Sequence, residues 1–218
     1  MPLHISAIPK DPEAPLILFC HGMGETPEIF LKHWPKLTSL PVHLVAPAGP
    51  FPFEKRRPDK IVIGHAWYLY DGGEELFRRT VSDSAAWLRE ALLQAEATHD
   101  LKPRFRCLLG YSQGAYFGYT MALSNPDLFT HVIGAAGRVK ESFLPEVRKG
   151  TPLASVLVLH GDEDAAVPPL SARNSKDALE GRGHPVTLET LPAGHRLTPA
   201  FDESATRWIE KEWAIQEG

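Results

Sequence analysis

The stretch Phe105-Arg106-Cys107-Leu108-Leu109-Gly110-Tyr111-Ser112-Gln113-Gly114-Ala115 decides how the rest of the chain is read. Its first half is a short, mostly apolar run that reads as a buried strand. The run passes without a break into G-x-S-x-G, and the residues after Ser112 read as a helix that continues towards Asn125, where Pro126 stops it. A strand that turns straight into a helix carries its turn residue to the C-terminal edge of a sheet. That residue also sits at a helix N-terminus, whose dipole favours negative charge. Gly110 and Gly114 let backbones pass at the tight turn where a side chain would clash. Ser112 is thereby a candidate nucleophile. From the Gly and Ser contents, such a motif would arise by chance roughly 0.07 times in a chain this long, so the strand-to-helix context separates it from an ordinary glycine-rich turn.

The same strand pattern recurs on both sides of this stretch. Pro15 to Cys20, Val42 to Ala46, His131 to Ala135, Ser155 to His160 and Val186 to Thr190 join Phe105 to Leu109 as predicted strands. Helical spacing fills the intervals. Leu76, Val81, Ala85, Leu88, Leu92 and Ala95 mark a helix over about Glu74 to Ala97, and a further helix covers Leu170 to Leu179, ended by Gly181. A last one begins near Pro199 and buries Phe201, Ala205, Trp208 and Ile209. Strands alternating with helices predict an α/β fold, a mostly parallel sheet of about six to eight strands covered on both faces. The segment from Ala46 to about Gly73 does not fit; it reads as a long functional loop rich in Pro and Gly.

Composition narrows the class. The 218 residues are 43% hydrophobic and 23% charged, with a formal net charge of −4, which predicts one domain over residues 1–218 with a substantial core. A slightly acidic chain without long runs of like charge argues against nucleic acid as partner. No apolar stretch is long enough for an integral membrane segment, and the start Met1-Pro2-Leu3-His4-Ile5-Ser6 has no signal-peptide pattern, so a cytoplasmic protein is expected. The two cysteines, Cys20 and Cys107, fall within predicted buried strands and read as core fillers; no cysteine or histidine cluster suggests a metal.

A serine nucleophile needs a base, and the base needs an orienting carboxylate. On a sheet of this kind the three follow in the order Ser, acid, His on successive strand ends. Asp162, Glu163 and Asp164 compete for the acid in His160-Gly161-Asp162-Glu163-Asp164-Ala165-Ala166-Val167-Pro168, just past the fifth strand. Among ten histidines, His195 alone lies in a short loop between the last strand and the last helix. Acyl transfer also needs donors for an oxyanion. The N–H of Gln113 is one candidate. The N–H of Met23, in the His21-Gly22-Met23-Gly24 turn after the first strand, is the other.

These segments resemble the α/β-hydrolase superfamily, and within it the small carboxylesterase, lysophospholipase and acyl-protein-thioesterase family of serine hydrolases. The resemblance runs from about Pro15 to Trp213. It rests on His21-Gly22-Met23-Gly24, Ala46-Pro47-Ala48-Gly49-Pro50, Ala66-Trp67-Tyr68, Gly110 to Gly114, and His160-Gly161-Asp162 through Val167-Pro168. It implies Asp164 as the acid, by the pattern HGxxDxxVP, and Met23 and Gln113 as the oxyanion donors. It implies Trp67 beside the site and, with the loop around it, designates Trp67, Tyr68, Phe51 and Val167 as substrate contacts. A triad of Ser112, Asp164 and His195 would then cleave carboxylic esters or thioesters through an acyl-enzyme, with no cofactor and no metal. A carboxylesterase is the leading reading, with a lysophospholipase or acyl thioesterase as alternatives. A binding-only protein on the same fold is the reading from a different class. The partner implied is a small-molecule ester or thioester, and the family implies a monomer or homodimer. The chain departs from the family at Ala115, where a second glycine is common. It departs again at Phe51-Pro52-Phe53-Glu54-Lys55-Arg56-Arg57, and at Arg196-Leu197 after the histidine. Two readings of the 51–57 stretch stand: a phenylalanine pair and a basic patch at the pocket rim that alter the acyl or leaving-group preference, or, as charge runs more often are, a solvated loop.

Overall fold

A computed structural model describes residues 3–7, 9–56 and 58–217. The elements follow in the order β1 (Leu3–Ala7), β2 (Leu16–Cys20), α1 (Pro27–Leu31), β3 (His43–Pro47), β4 (Phe51–Arg56), β5 (Ile61–Ala66), α2 (Glu74–His99), β6 (Arg106–Tyr111), α3 (Gln113–Leu123), β7 (His131–Ala135), β8 (Ser155–Gly161), α4 (Leu170–Glu180), β9 (Val186–Leu191) and α5 (Pro199–Glu217). Among the described residues, seven strands form one sheet in the order β1-β3-β2-β6-β7-β8-β9. Six are parallel, and β1 closes one edge antiparallel to β3. All six predicted strands are in this sheet.

The pleat sorts the apolar runs into two cores. Leu16, Leu18, Leu108, Val156 and Val158 face α2, α3 and α4 through Phe77, Leu88, Phe117 and Leu179. Ile17, Phe19, Leu109, Leu157 and Leu159 face the other way, against Phe30 of α1 and Phe201, Ala205, Trp208 and Ile209 of α5. Strands buried on both faces lose the alternating pattern and become continuously apolar, which is why they were legible. Cys20 and Cys107 are free and buried, one in each core. On α2 the buried face is rotated relative to the periodicity: Phe77, Thr80, Val81 and Ser84 are inside, and Leu76 is only half-buried.

The segment from Ala46 to Gly73 is not a loop throughout. Its centre folds as the antiparallel hairpin β4–β5, with Phe51 opposite Ala66 and Arg56 opposite Ile61. The hairpin was missed because it is exposed on most of its length and carries Pro52, so it has no apolar run to announce it. It is pinned at one end. Gly24 N–H donates to His65 O (2.7 Å) and His65 N–H donates to Glu25 O (2.9 Å), bridging β5 to the loop after β2. A side chain at Gly64 would place its Cβ 2.0 Å from Gly24 O, so only glycine allows this contact.

Candidate active site

Ser112 sits between the end of β6 and the start of α3, with φ 52° and ψ −115°. Left-handed backbone at a non-glycine residue costs on the order of 1–3 kcal/mol and persists only where the surroundings over-determine it. They do so here. A Cβ at Gly110 would lie 2.3 Å from Gly114 O, and one at Gly114 would lie 2.0 Å from Cys20 O, so helix and strands meet at backbone contact. Ser112 N–H also donates to Ala135 O (2.9 Å), tying the turn to β7. The hydroxyl is held out at the sheet's C-terminal edge.

The order of strand ends then brings the other groups to it. Ser112 Oγ lies 2.9 Å from His195 Nε2, and His195 Nδ1 lies 2.8 Å from Asp164 Oδ2. Asp164 is fully buried, and its second oxygen accepts from Ala166 N–H (2.9 Å) and Val167 N–H (2.8 Å). With both carboxylate oxygens engaged as acceptors, the Nδ1–H tautomer of His195 is selected and Nε2 is left to accept from serine. The three acids of the loop after β8 divide their work. Asp164 faces the histidine. Asp162 accepts from Ala193 N–H (3.1 Å) in the loop that carries His195, and the Glu163 side chain is exposed.

Several supporting groups carried no signal in the sequence. The Tyr111 ring stacks on His195 with centroids 5.6 Å apart, and its hydroxyl donates to His195 O (3.2 Å). Burial raises that phenol to about 12, so it stays a donor at ordinary pH. His160, fully buried on β8, donates from Nε2 to Val167 O (2.8 Å) and buttresses the Asp164 loop. The Gln113 side chain accepts from Trp67 N–H (2.9 Å) and donates to Tyr68 O (3.2 Å), lacing the segment after the hairpin to the elbow.

The loop after β2 is shaped by a buried histidine. The His21 ring bonds Gly22 O through Nδ1 (2.8 Å) and accepts from Gly49 N–H at Nε2 (3.0 Å). Burial lowers its imidazole to about 4, in keeping with a neutral ring that both donates and accepts. Gly22 N–H is taken by the Glu25 carboxylate (2.9 Å) and Gly24 N–H by His65 O, which leaves the Met23 N–H between them without a protein partner among the described residues. Gln113 N–H, at the first position of α3, has no intrahelical acceptor.

A cavity of about 600 Å³ opens over Ser112. Met23, Tyr68, Gln113 and Val167 line it, together with Phe53, Tyr70, Tyr116 and Arg138. Two expected substrate contacts are placed elsewhere. Trp67 is fully buried behind the site, its Nε1–H donating to His21 O (2.9 Å) and its ring stacked 5.1 Å from Phe117, so it packs the loops together instead of forming the wall. Phe51, at the start of β4 opposite Ala66, is half-buried and does not line the cavity, whereas Phe53, two residues on, reaches it. Lys55 packs near Gly24, Arg56 is exposed and pairs with Glu54 (2.5 Å), and Arg57 lies outside the described residues. Arg196 is exposed and does not line the cavity.

A parallel sheet of this topology with a strained serine at a strand–helix turn, hydrogen-bonded in series to histidine and a buried aspartate, defines a serine hydrolase of the α/β-hydrolase superfamily. A model of the Phospholipase/Carboxylesterase family matches residues 4–212, and the chain belongs to that family. Esterase YpfH of Escherichia coli strain K12 is 26% identical over 201 residues, 87% of this chain and 79% of its own. The Bacillus cereus carboxylesterase has the same fold, with a TM-score of 0.75 at 19% identity over 96% of this chain and 94% of its own. Acyl-protein thioesterase 2 of Zea mays gives 0.72 at 19% identity, over 96% and 98%. Among the described residues, no helix is long and apolar enough to cross a membrane.

Proposed function

We propose that this chain is a carboxylesterase that works through Ser112, His195 and Asp164. The observation that carries the reading is the unbroken chain of hydrogen bonds, 2.9 Å and 2.8 Å long, that ends on the cavity floor at Ser112. His195 Nε2 takes the serine proton as Oγ attacks the ester carbonyl, and the resulting imidazolium is balanced by the buried Asp164 carboxylate. The N–H groups of Met23 and Gln113 receive the oxyanion. His195 then returns the proton to the departing alcohol. Water enters by the same route, His195 again removes the proton, and the acyl group leaves Ser112 as a carboxylic acid. Tyr68 and Val167 contact the substrate from the cavity wall. A small ester is the expected partner, since the chain is mildly acidic and its cavity holds a few hundred cubic ångströms. Two free, buried thiols suit a reducing cytoplasm.

The test is hydrolysis of nitrophenyl esters with acyl chains of two to sixteen carbons, wild type beside Ser112→Ala. The variant is expected to lose about six orders of magnitude in turnover. Near-wild-type turnover in the variant would overturn the reading. An optimum at short chains marks a small-ester carboxylesterase. An optimum at eight carbons or more, with the acyl chain running along Tyr68, Tyr70, Phe77 and Tyr116, shifts it to lysophospholipid or thioester substrates.

A further inference from the structure

We propose that Arg138 makes this a site for esters whose acyl or alcohol part carries a carboxylate or phosphate. The inference rests on the esterase reading above and deepens it.

Arg138 is delivered to the nucleophile by an unusual piece of backbone. β7 ends at Ala135, and Ala136 turns the chain with φ 48° while its N–H donates to Leu159 O (2.8 Å). Gly137 then passes so close to the elbow that a Cβ there would lie 2.5 Å from Ala115 Cβ and 3.1 Å from Ser112 O. The next residue is Arg138. It lines the cavity over Ser112 and also a neighbouring groove of about 500 Å³ that shares Tyr68, Tyr70 and Tyr116 with it.

Charge singles it out. Among the described residues, Arg138 is the only formally charged side chain in the wall around Ser112; the rest of that wall is aromatic, aliphatic or neutral polar. Its guanidinium lies 5.8 Å from the Tyr116 ring centroid, and no carboxylate among the described residues forms an ion pair with it. Lys140, next along the groove, is different. It is paired with Glu74 (2.8 Å) and lies over Phe77 and Phe143. Glu141 lines the outer groove but not the wall around Ser112. Burial raises the phenols of Tyr68 and Tyr116, so both stay neutral donors beside the cation. A guanidinium offers carboxylate and phosphate a fork of N–H donors, and Arg138, itself exposed, presents that fork at the rim of the cavity. The aromatic groove accommodates the carbon spacer between the anion and the scissile carbonyl.

The test compares kcat/KM within matched pairs. For the acyl side, the mono-4-nitrophenyl ester of adipic acid is set against 4-nitrophenyl hexanoate. For the leaving-group side, 3-acetoxybenzoate is set against 3-acetoxybenzamide. Wild type is expected to favour the anionic member of at least one pair by about two- to fivefold, and the pair that shows it tells which side faces Arg138. The ratio should fall to about one in Arg138→Met, drop below one in Arg138→Glu, and be partly kept in Arg138→Lys. Because each value is a ratio within one preparation, a poorly folding variant does not distort it. No anionic preference in either pair, or a preference that survives Arg138→Met, overturns the assignment of Arg138. Absence of Ser112-dependent turnover of all four esters overturns the esterase reading itself.

Discussion

Around Ser112 the backbone has no room to move, because Gly110, Gly114 and Cys20 meet without a side chain between them and φ is held at 52°. From Phe51 to Ala66 the opposite holds: the hairpin is exposed over most of its length, and Ile61 and Ile63 face outwards. Both regions border one cavity. The difference teaches where each task can be built. Proton transfer needs atoms placed to within a fraction of an ångström, which a sheet edge packed on both faces supplies. The hairpin lends that cavity only part of its wall, through Phe53, from a ribbon bridged at one end to the loop after β2.

The largest test of the rigid side is Asp164→Asn. Two backbone N–H groups require an acceptor at one end of the side chain, so the amide NH₂ must face His195 and force its Nδ1 to accept. Nε2 then carries the proton and cannot take one from Ser112. A loss of about four orders of magnitude in kcat is expected. Steady-state kinetics retaining a tenth of wild-type turnover would show that the aspartate does not set the tautomer.

Next in size is a pH effect on the loop that joins the two regions. His21 has an ordinary value of 6.5 when unfolded and about 4 when buried. Above 6.5 both states are neutral and the contribution of the buried ring is intact. As pH falls from 6.5 towards 4, the unfolded chain takes up a proton that the folded one refuses, and stability drops by on the order of 3 kcal/mol. His43, His131 and His184 are lowered by burial too and act in the same direction. Urea unfolding at pH 7.5, 5.5 and 4.5 should show the decline, with a shallower one in His21→Gln. Equal slopes in the two proteins would remove His21 from the account.

Smaller still is the strain at the elbow. Ser112→Gly should stabilise the fold by about 1 kcal/mol, or about 2–4 °C in Tm, relative to Ser112→Ala, which keeps the Cβ. Matching melting curves for the two variants would mean the turn stores no strain. The smallest effect belongs to the exposed side. Phe53→Ala should change the ester-length profile by less than about tenfold while costing under about 1 kcal/mol of stability. An unchanged profile would mean the hairpin does not shape the cavity.

The strands buried on both faces were legible because a continuous apolar run has few other uses, and chain order sufficed to pick His195 from ten histidines. Asp164 was harder. Three acids stood together, and only the family pattern favoured one, because which carboxylate turns inward depends on how Ala166 and Val167 present their N–H groups. The hairpin gave no signal, since an exposed two-stranded ribbon lacks the apolar run that marks a strand. Trp67 was expected in the cavity and stands behind it, because proximity along the chain does not tell which side of a wall a ring occupies. By itself the sequence determined the parallel sheet, the elbow and the order of the triad, all of which follow from local periodicity, turn chemistry and chain direction. Only the tertiary structure decided what surrounds the reacting atoms: Tyr111 under His195, the Gln113 side chain lacing the elbow, and Arg138 at the cavity wall. Those contacts join residues far apart in the chain, and packing alone brings them together.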